Sequence, residues 1–424
     1  MKRDISINVI WSYITSSIII FLLVFLPPLS KISMTYILTG LMSAYLGVSI
    51  IKKGRFRIEL NSNLKLLAFF SPFIMYLFFQ TVLNYIFSPN RAERIAYVYN
   101  LSHILVSLFF IIISYLFLRE IVTNKKIDIS TCVVAAGATQ AILMFLSFFV
   151  PAIHQRFLTL YLTNNKNEIN LRLAFLNKWR LHGLSGYYFD NLAFILSGIC
   201  LISIIKGITT KKTAYYFLAF LILFASMLTA RTSIILTLIG VFVVVLHYRR
   251  EIINDFLKWI IIALAGFILL IVFYSFLSEG FQQWIETGWR AFVSVFSGNR
   301  KESAFGEILG ADLVLPTNLL FGVGAKPESL NIYDTNGNYI DNGYIQMLWR
   351  FGLLGAGLFL FGLLKFEQSL TKKIGIVSFA LMFVFGVYTI KYYPLSLYGA
   401  HIIYFVLPAV LNVISKEAES GKNE

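Results

Sequence analysis

Long apolar runs joined by short polar loops make up most of this 424-residue chain. About 20 apolar residues suffice for a helix to cross the hydrocarbon core of a bilayer. Twelve such runs occur, near 9–27, 34–51, 64–87, 97–118, 129–150, 189–205, 213–229, 232–247, 259–277, 343–364, 374–390 and 397–414. Because 58% of the residues are hydrophobic and 13% are charged, a soluble protein is excluded. We predict an all-α polytopic membrane protein with about 12 transmembrane helices, forming a single transmembrane domain over residues 1–424.

Two long polar segments, 151–188 and 278–342, interrupt this succession. The first divides into two amphipathic stretches around 164–167, and each is predicted to be a short helix lying in the membrane interface. The second contains the turn-rich sequence FGVGA at 321–325. Its glycines are predicted to let backbone amides approach a phosphate group.

Basic residues are concentrated in alternate short loops. Lys and Arg are retained on the cytoplasmic side of a membrane, so these loops are predicted to be cytoplasmic. Both termini then lie in the cytoplasm, and both long loops face the exterior. The formal net charge of +15 is thereby explained as a topology signal, and nucleic acid is not expected as a partner.

The chain has two cysteines, Cys132 and Cys200, and both lie inside apolar runs. Neither a disulfide framework nor a thiolate metal site is expected from this placement. We predict no metal site and no cofactor.

Four arginines stand out by position. Arg172 and Arg180 are eight residues apart, which places them about 80° apart on one broad helix face. Together they fit one anionic group, because guanidinium pairs bidentately with phosphate oxygens. The alternative is that both extend to lipid head groups.

The other two arginines lie within apolar sequence. Arg231 is the one charge between two runs, and placing Arg near the bilayer centre costs about 2.5 to 3.5 kcal/mol. It is predicted either to face a polar cavity or to keep the tip of a helical hairpin in water. Arg350 lies two turns into the tenth run, one turn after Gln346 and on the same face. It is predicted to contact substrate or to pair with a neighbouring span.

Several short motifs carry a family resemblance. They are the spacing from Arg172 to Gly183, the run RLHGLSGYYFDN at 180–191, TARTS at 229–233, SGNR at 297–300, FGVGA at 321–325 and DNGYIQMLWRFGLLG at 341–355. Together with the span count and the two long loops, these motifs resemble those of the O-antigen polymerase (Wzy) family. This family belongs to the O-antigen ligase and polymerase superfamily, which has the glycosyltransferase C-type fold.

The resemblance implies an inverting, metal-independent glycosyl transfer at the periplasmic face of the bacterial inner membrane. The growing glycan would move from undecaprenyl diphosphate onto a lipid-linked repeat unit, with a chain-length regulator as a possible partner. The residues implied to hold the diphosphate are Arg172, Arg180, Arg231 and Arg300, with Gly183 closing the first motif and Arg290 as the alternative to Arg300.

Asp341 is implied to be the catalytic base that activates the acceptor hydroxyl. Its position ahead of a helix is also that of a helix cap. Glu307 and Asp312 are rival carboxylates in the same loop.

Two other activities remain open. A ligase that attaches finished O-antigen to lipid A core usually has a histidine near the position of Asp341, and none occurs between 248 and 400. A lipid-linked oligosaccharide flippase or sugar transporter would explain the spans. It would leave two long loops on one face unexplained.

Overall fold

The computed structural model of the chain describes most of the predicted spans. The described residues are 7–29, 33–53, 68–125, 127–164, 181–187, 189–230, 232–254, 314–332, 342–390, 393, 395 and 397–420, with 264, 268, 282 and 286 as single helical positions. Helices dominate this part of the chain, and none of its residues forms a strand.

Fourteen α-helices are numbered here in chain order. They are α1 (Ile7–Phe25), α2 (Met34–Lys53), α3 (Ser71–Phe87), α4 (Arg91–Lys125), α5 (Ile129–Phe149), α6 (Pro151–Asn164), α7 (Phe189–Thr210), α8 (Thr213–Met227), α9 (Thr232–His247), α10 (Arg249–Asn254), α11 (Gly343–Ser369), α12 (Lys372–Thr389), α13 (Tyr398–His401) and α14 (Leu407–Ser420). A 3₁₀ turn, Pro327–Leu330, precedes α11, and a π-helical stretch, Ile402–Val406, joins α13 to α14.

Seven helical segments of the described part are long and apolar enough to cross a membrane. They are α1, α2, α4, α5, α7, α11 and the C-terminal segment Tyr398–Ser415. Four shorter apolar helices, α3, α8, α9 and α12, coincide with further predicted spans. The predicted class, an α-helical membrane protein, is confirmed at this level. Of the predicted ninth span, 259–277, the structure describes two positions, 264 and 268.

Helix α7 lies at the centre of the bundle, and 94% of its most apolar 18-residue window is buried. It packs against α5, α8, α9 and α12. The Phe194 ring is stacked against Tyr388 at 4.0 Å and against Tyr404 at 4.3 Å. A helix that is apolar on every face is expected to be surrounded by others in this way.

The predicted hairpin around 229–232 is present as two helices, because α8 ends at Met227 and α9 begins at Thr232. The Thr232 hydroxyl donates to the carboxylate of Asp190 in the first turn of α7. This bond ties the hairpin tip to the end of the bundle at which α7 begins.

Loops that the charge pattern assigns to one side of the membrane meet in the structure. At one end, the backbone N–H of Gly186 donates to the Phe25 carbonyl at 2.9 Å, and both residues adjoin predicted exterior loops. At the other end, Lys206 forms an ion pair with Asp128, and both adjoin predicted cytoplasmic loops. Helix α7 therefore begins beside the end of α1 and ends beside the start of α5, so it runs antiparallel to both.

Helix α11 is broken at Gly352, whose φ of 65° and ψ of −177° lie far from helical values. Residues 318–325, here called the re-entrant loop, pack against this break. The freed Trp349 carbonyl accepts hydrogen bonds from the N–H groups of Val323 at 2.7 Å and Gly324 at 3.2 Å. The loop thus replaces bonds that the helix lacks.

The loop also supplies hydrogen-bond acceptors for the first N–H groups after the break in α11. The N–H groups of Leu353 and Leu354 donate to the carbonyls of Leu319 at 2.9 Å and Leu320 at 3.0 Å. Gly352 follows the first residue of α11 by nine positions, about 13.5 Å at 1.5 Å per residue. The loop therefore contacts α11 well inside the helix and not at its end.

Three polar side chains of α3 hold the re-entrant loop from its other side. Tyr76 and Gln80 donate to the Phe321 carbonyl, and Asn84 donates to the Val323 carbonyl at 2.7 Å. Their spacing of four residues places them along one helix face. Because no water is present in hydrocarbon to satisfy these carbonyls, the amide and hydroxyl donors of α3 supply their hydrogen bonds.

Removing the hydroxyl in Tyr76→Phe is expected to lower the free energy of unfolding by about 1 to 2 kcal/mol. The hydroxyl lies 2.6 Å from the Phe321 carbonyl and 2.7 Å from the Phe351 carbonyl. Both carbonyls would lose this contact, and the Phe321 carbonyl would keep its bond from Gln80. The matched control is Tyr85→Phe, an exposed position on the same helix, which should change stability little. Thermal unfolding in detergent measures both, and equal midpoints for the two variants would contradict the clamping role.

Candidate functional site

A polar cavity of about 260 Å³ lies beside the re-entrant loop. It is lined by Ala96, Tyr99, Asn100 and His103 of α4, Asn191 of α7, Lys326, Glu328 and Ser329 of the loop region, Gln346 and Arg350 of α11, and Tyr393. The α7 and α11 residues lie within two turns of the starts of these helices, and the α4 residues within about three. All of these ends are predicted to face the exterior.

Arg350 is the buried cation of the cavity, with 8% of its surface exposed. Its Nη1 donates to Asn100 Oδ1 at 2.9 Å, and the guanidinium carbon lies 3.9 Å from the centre of the Tyr393 ring. Its Nε is buried and has no hydrogen-bond partner in the described part of the chain. Among the described residues no carboxylate pairs with Arg350. Donors of this guanidinium therefore remain for an anionic ligand.

Asn100 links Arg350 to the re-entrant loop. Its Oδ1 accepts from Arg350, while its Nδ2 donates to the Gly324 carbonyl at 2.9 Å. The two bonds use both ends of the amide, so its orientation is fixed. Consequently the position of the guanidinium depends on the loop being in place.

The charges on the cavity wall favour an anion. Lys326 and Arg350 are cationic, and Glu328 is the one carboxylate among its described lining residues. Two positive charges against one negative charge leave a net charge of +1. Such a partly buried, cationic and hydrogen-bonding site suits a phosphate or diphosphate group.

Tyr393 forms an aromatic wall behind Arg350. Burial raises the pKa of the Tyr393 hydroxyl to about 12, and Arg350 opposes that shift. The phenol is therefore neutral at physiological pH. Its ring face attracts the guanidinium, as a cation–π contact does.

The structure places two of the predicted site residues in described regions, and it does not bring them together. Arg350 lines the cavity with Gln346, as their spacing suggested. Gly183 packs elsewhere, against α5. The other predicted residues lie outside the described part of the chain, namely Arg172, Arg180, Arg231, Arg290, Arg300 and Asp341, together with Glu307 and Asp312.

Gly183 occupies a buried turn with φ of 55°. A Cβ added there would lie 2.7 Å from Nε2 of Gln140, and that amide donates to the neighbouring His182 carbonyl at 2.6 Å. Burial and the nearby His154 lower the pKa of His182 to about 4. In the described structure this segment is a tightly packed turn on α5.

The cap of α11 is Asn342, because its side chain accepts from the N–H groups of Tyr344 at 3.0 Å and Ile345 at 3.1 Å. The two roles considered for Asp341, catalytic base and helix cap, stay predictions, because this residue lies outside the described part of the chain.

The backbone amides of FGVGA were predicted to approach phosphate, and this was wrong for the three central ones. The Gly322 N–H donates to the Asn318 carbonyl within the loop at 2.8 Å, and those of Val323 and Gly324 donate to the Trp349 carbonyl of the broken helix. These three amides are therefore not available to a ligand.

Sequence reasoning missed several residues of the cavity. Asn100 and His103 are polar residues three positions apart in an apolar run, and this spacing was a usable signal of a polar helix face. Glu328 and Tyr393 carried no such signal. Each lies in a segment between spans, and its neighbours in the cavity come from distant parts of the chain.

Comparisons of the chain with models of known protein families, with curated proteins and with solved structures gave no match. The function is therefore inferred from the cavity and from the sequence motifs.

Proposed function

We propose that this protein is a glycosyltransferase that polymerises a surface polysaccharide, transferring the growing glycan from undecaprenyl diphosphate onto a lipid-linked repeat unit. The observation that carries the proposal is the net cationic cavity built around Arg350 at the bundle end predicted to face the exterior. A cavity open at this level suits a substrate with its lipid in the bilayer and its sugars outside.

Arg350 and Lys326 have the chemistry needed to hold the diphosphate. As the sugar leaves the diphosphate, negative charge grows on the departing oxygen. Guanidinium and ammonium groups held in place before the reaction stabilise that charge without reorganising. Arg350 meets this condition, because Asn100 and Tyr393 fix it from two sides.

The motif residues complete the proposal. We propose that the lipid-linked substrates are bound by Arg172 and Arg180 of the first long loop, by Arg231 between α8 and α9, and by Arg300, or Arg290, of the second long loop. The proposed location is the bacterial inner membrane, with the reaction at its periplasmic face and a chain-length regulator as partner.

Gel analysis of lipopolysaccharide from a deletion strain tests this function. We expect lipid A core bearing a single repeat unit, with the ladder of longer chains restored by the wild-type gene. Long polymer left on the lipid carrier, with none on the core, would instead identify a ligase. Repeat units trapped inside the cell would identify a flippase.

A transporter is the second candidate function, and the break in α11 favours it. Interrupted helices at mid-membrane depth are typical of substrate sites in secondary transporters. In this protein, however, the re-entrant loop occupies the freed backbone groups of Trp349, Leu353 and Leu354. Those groups are therefore not free to coordinate a transported ion or substrate, which is why we favour the transferase.

A further inference from the structure

The Glu328 carboxylate has an unusual environment on the cavity wall. Its Oε2 is buried and has no hydrogen-bond partner among the described residues. Leaving a buried acceptor unpaired destabilises a fold, and more so when the acceptor is charged. A native structure that retains such a group in a cavity points to a role with a ligand.

The backbone around Glu328 is rigid. Three backbone N–H groups donate to carbonyls three or five positions earlier in the chain. Ser329 donates to Lys326 at 3.1 Å, Asn331 to Glu328 at 3.2 Å, and Ile332 to Pro327 at 3.0 Å. Asn331 ends the turn with a φ of 58°. The carboxylate is therefore carried by a closed turn and not by an open loop.

Apolar contacts fix this turn to two helices. Ala325, which is fully buried, packs with Ala96 and Tyr97 of α4. Leu330 packs against that cluster and also against Ile345 and Trp349 of α11. Because the turn is held on both sides, Glu328 keeps a fixed position relative to Arg350, as a reacting group requires.

We propose that Glu328 is the general base of the reaction, accepting the proton of the acceptor sugar hydroxyl. This assignment rests on the proposed glycosyl transfer. Glu328 shares a cavity of about 260 Å³ with Lys326 and Arg350, so a diphosphate on the cations leaves its sugar within reach of the carboxylate. A carboxylate within hydrogen-bond reach of a hydroxyl is suited to take its proton.

The step balances without a further reactant. The acceptor oxygen attacks the anomeric carbon of the donor sugar and forms the new glycosidic bond. The bond from that carbon to the diphosphate oxygen breaks, and its electron pair leaves with the diphosphate beside Arg350 and Lys326. The hydroxyl proton passes to Glu328.

Two other groups compete for this role. Asp341 has it by family resemblance and lies outside the described residues. His103 also lines the cavity, but its ring packs 6.0 Å from Tyr99 and 5.7 Å from Tyr398, in an aromatic setting. Each yields a different result when replaced.

The test uses full-length protein purified in detergent and lipid-linked repeat units extracted from the deletion strain. In Glu328→Gln, turnover should fall by about 100-fold or more, the scale of a lost general base. Binding of undecaprenyl diphosphate should stay unchanged, because the cations remain. The exposed control Glu251→Gln should retain turnover close to wild type. His103→Gln and Asp341→Asn are assayed beside it as the two rival bases.

Wild-type turnover in Glu328→Gln would overturn the assignment. Loss of turnover in His103→Gln or Asp341→Asn alongside that result would identify the base instead. If Glu328→Gln does not fold, Glu328→Asp decides, because it keeps the charge but withdraws the carboxylate by one methylene. We expect at least about a tenfold loss there, and unchanged turnover would refute the role. Absence of polymer with the wild-type protein would instead reject the proposed function itself.

Discussion

Replacing Gly352 with alanine is expected to prevent stable folding, at a cost of about 3 kcal/mol or more. The residue has φ of 65°, and a Cβ added there would lie 2.3 Å from the backbone nitrogen of Gly322. That neighbour is main chain, so no side-chain rotation relieves the overlap. Yield of monodisperse protein and its thermal unfolding in detergent measure the effect.

Gly357→Ala is the matched control, five residues further along the same helix. A Cβ added at Gly357 meets nothing within 4 Å, and alanine in a helix interior is favoured over glycine by about 0.5 to 1 kcal/mol. We expect this variant to be as stable as the wild type or slightly more stable. Normal folding of Gly352→Ala would show that the helix break does not require glycine.

The second large effect is expected from Arg350→Ala. If Arg350 holds the departing diphosphate, polymer formation should fall by about 100-fold, on the scale of removing one fixed electrostatic donor. Cells carrying this variant should show the single-repeat lipopolysaccharide of the deletion strain. Arg350→Lys should recover part of the activity, because it keeps the charge and loses the planar fork.

Lys365→Ala is the control for charge removal from the same helix. Lys365 is exposed at the far end of α11, where its ammonium donates to Gln368 at 3.3 Å. This variant should build the full ladder. A full ladder from stably expressed Arg350→Ala would remove Arg350 from the proposed site.

The positions of the membrane helices were predictable because the signal is local. In hydrocarbon, the backbone N–H and C=O groups of an apolar run form their hydrogen bonds within one helix, so each helix can be recognised from its own sequence without its neighbours. The α8 and α9 hairpin was predicted for this reason, although just four residues, 228–231, separate its helices.

The re-entrant loop was not predictable from its sequence. FGVGA was interpreted as a phosphate-binding turn, because its glycines let backbone amides come close to a bound group. Its actual partners are Tyr76 and Asn84, which are 245 and 239 residues away from the carbonyls they bind. Such pairings leave no periodic pattern in one chain.

The candidate site was predictable in part. A cation in an apolar run is conspicuous, and so Arg350 and Gln346 were recognised on one helix face. Glu328 lies between a proline and a serine in a polar segment and resembles any exposed carboxylate. Its burial arises when the turn docks between α4 and α11, which is a tertiary event.

The broken helix also constrains how the protein is made. Until the re-entrant loop docks, the Leu353 N–H can bond to the Trp349 carbonyl, four residues earlier, as in an unbroken helix, so Gly343–Ser369 can enter the bilayer as one continuous span. The loop takes over these groups when it docks, and it in turn needs α3 and α4, which are synthesised much earlier. Formation of the break is therefore coupled to assembly with the early helices, and chains truncated before residue 343 cannot contain the cavity.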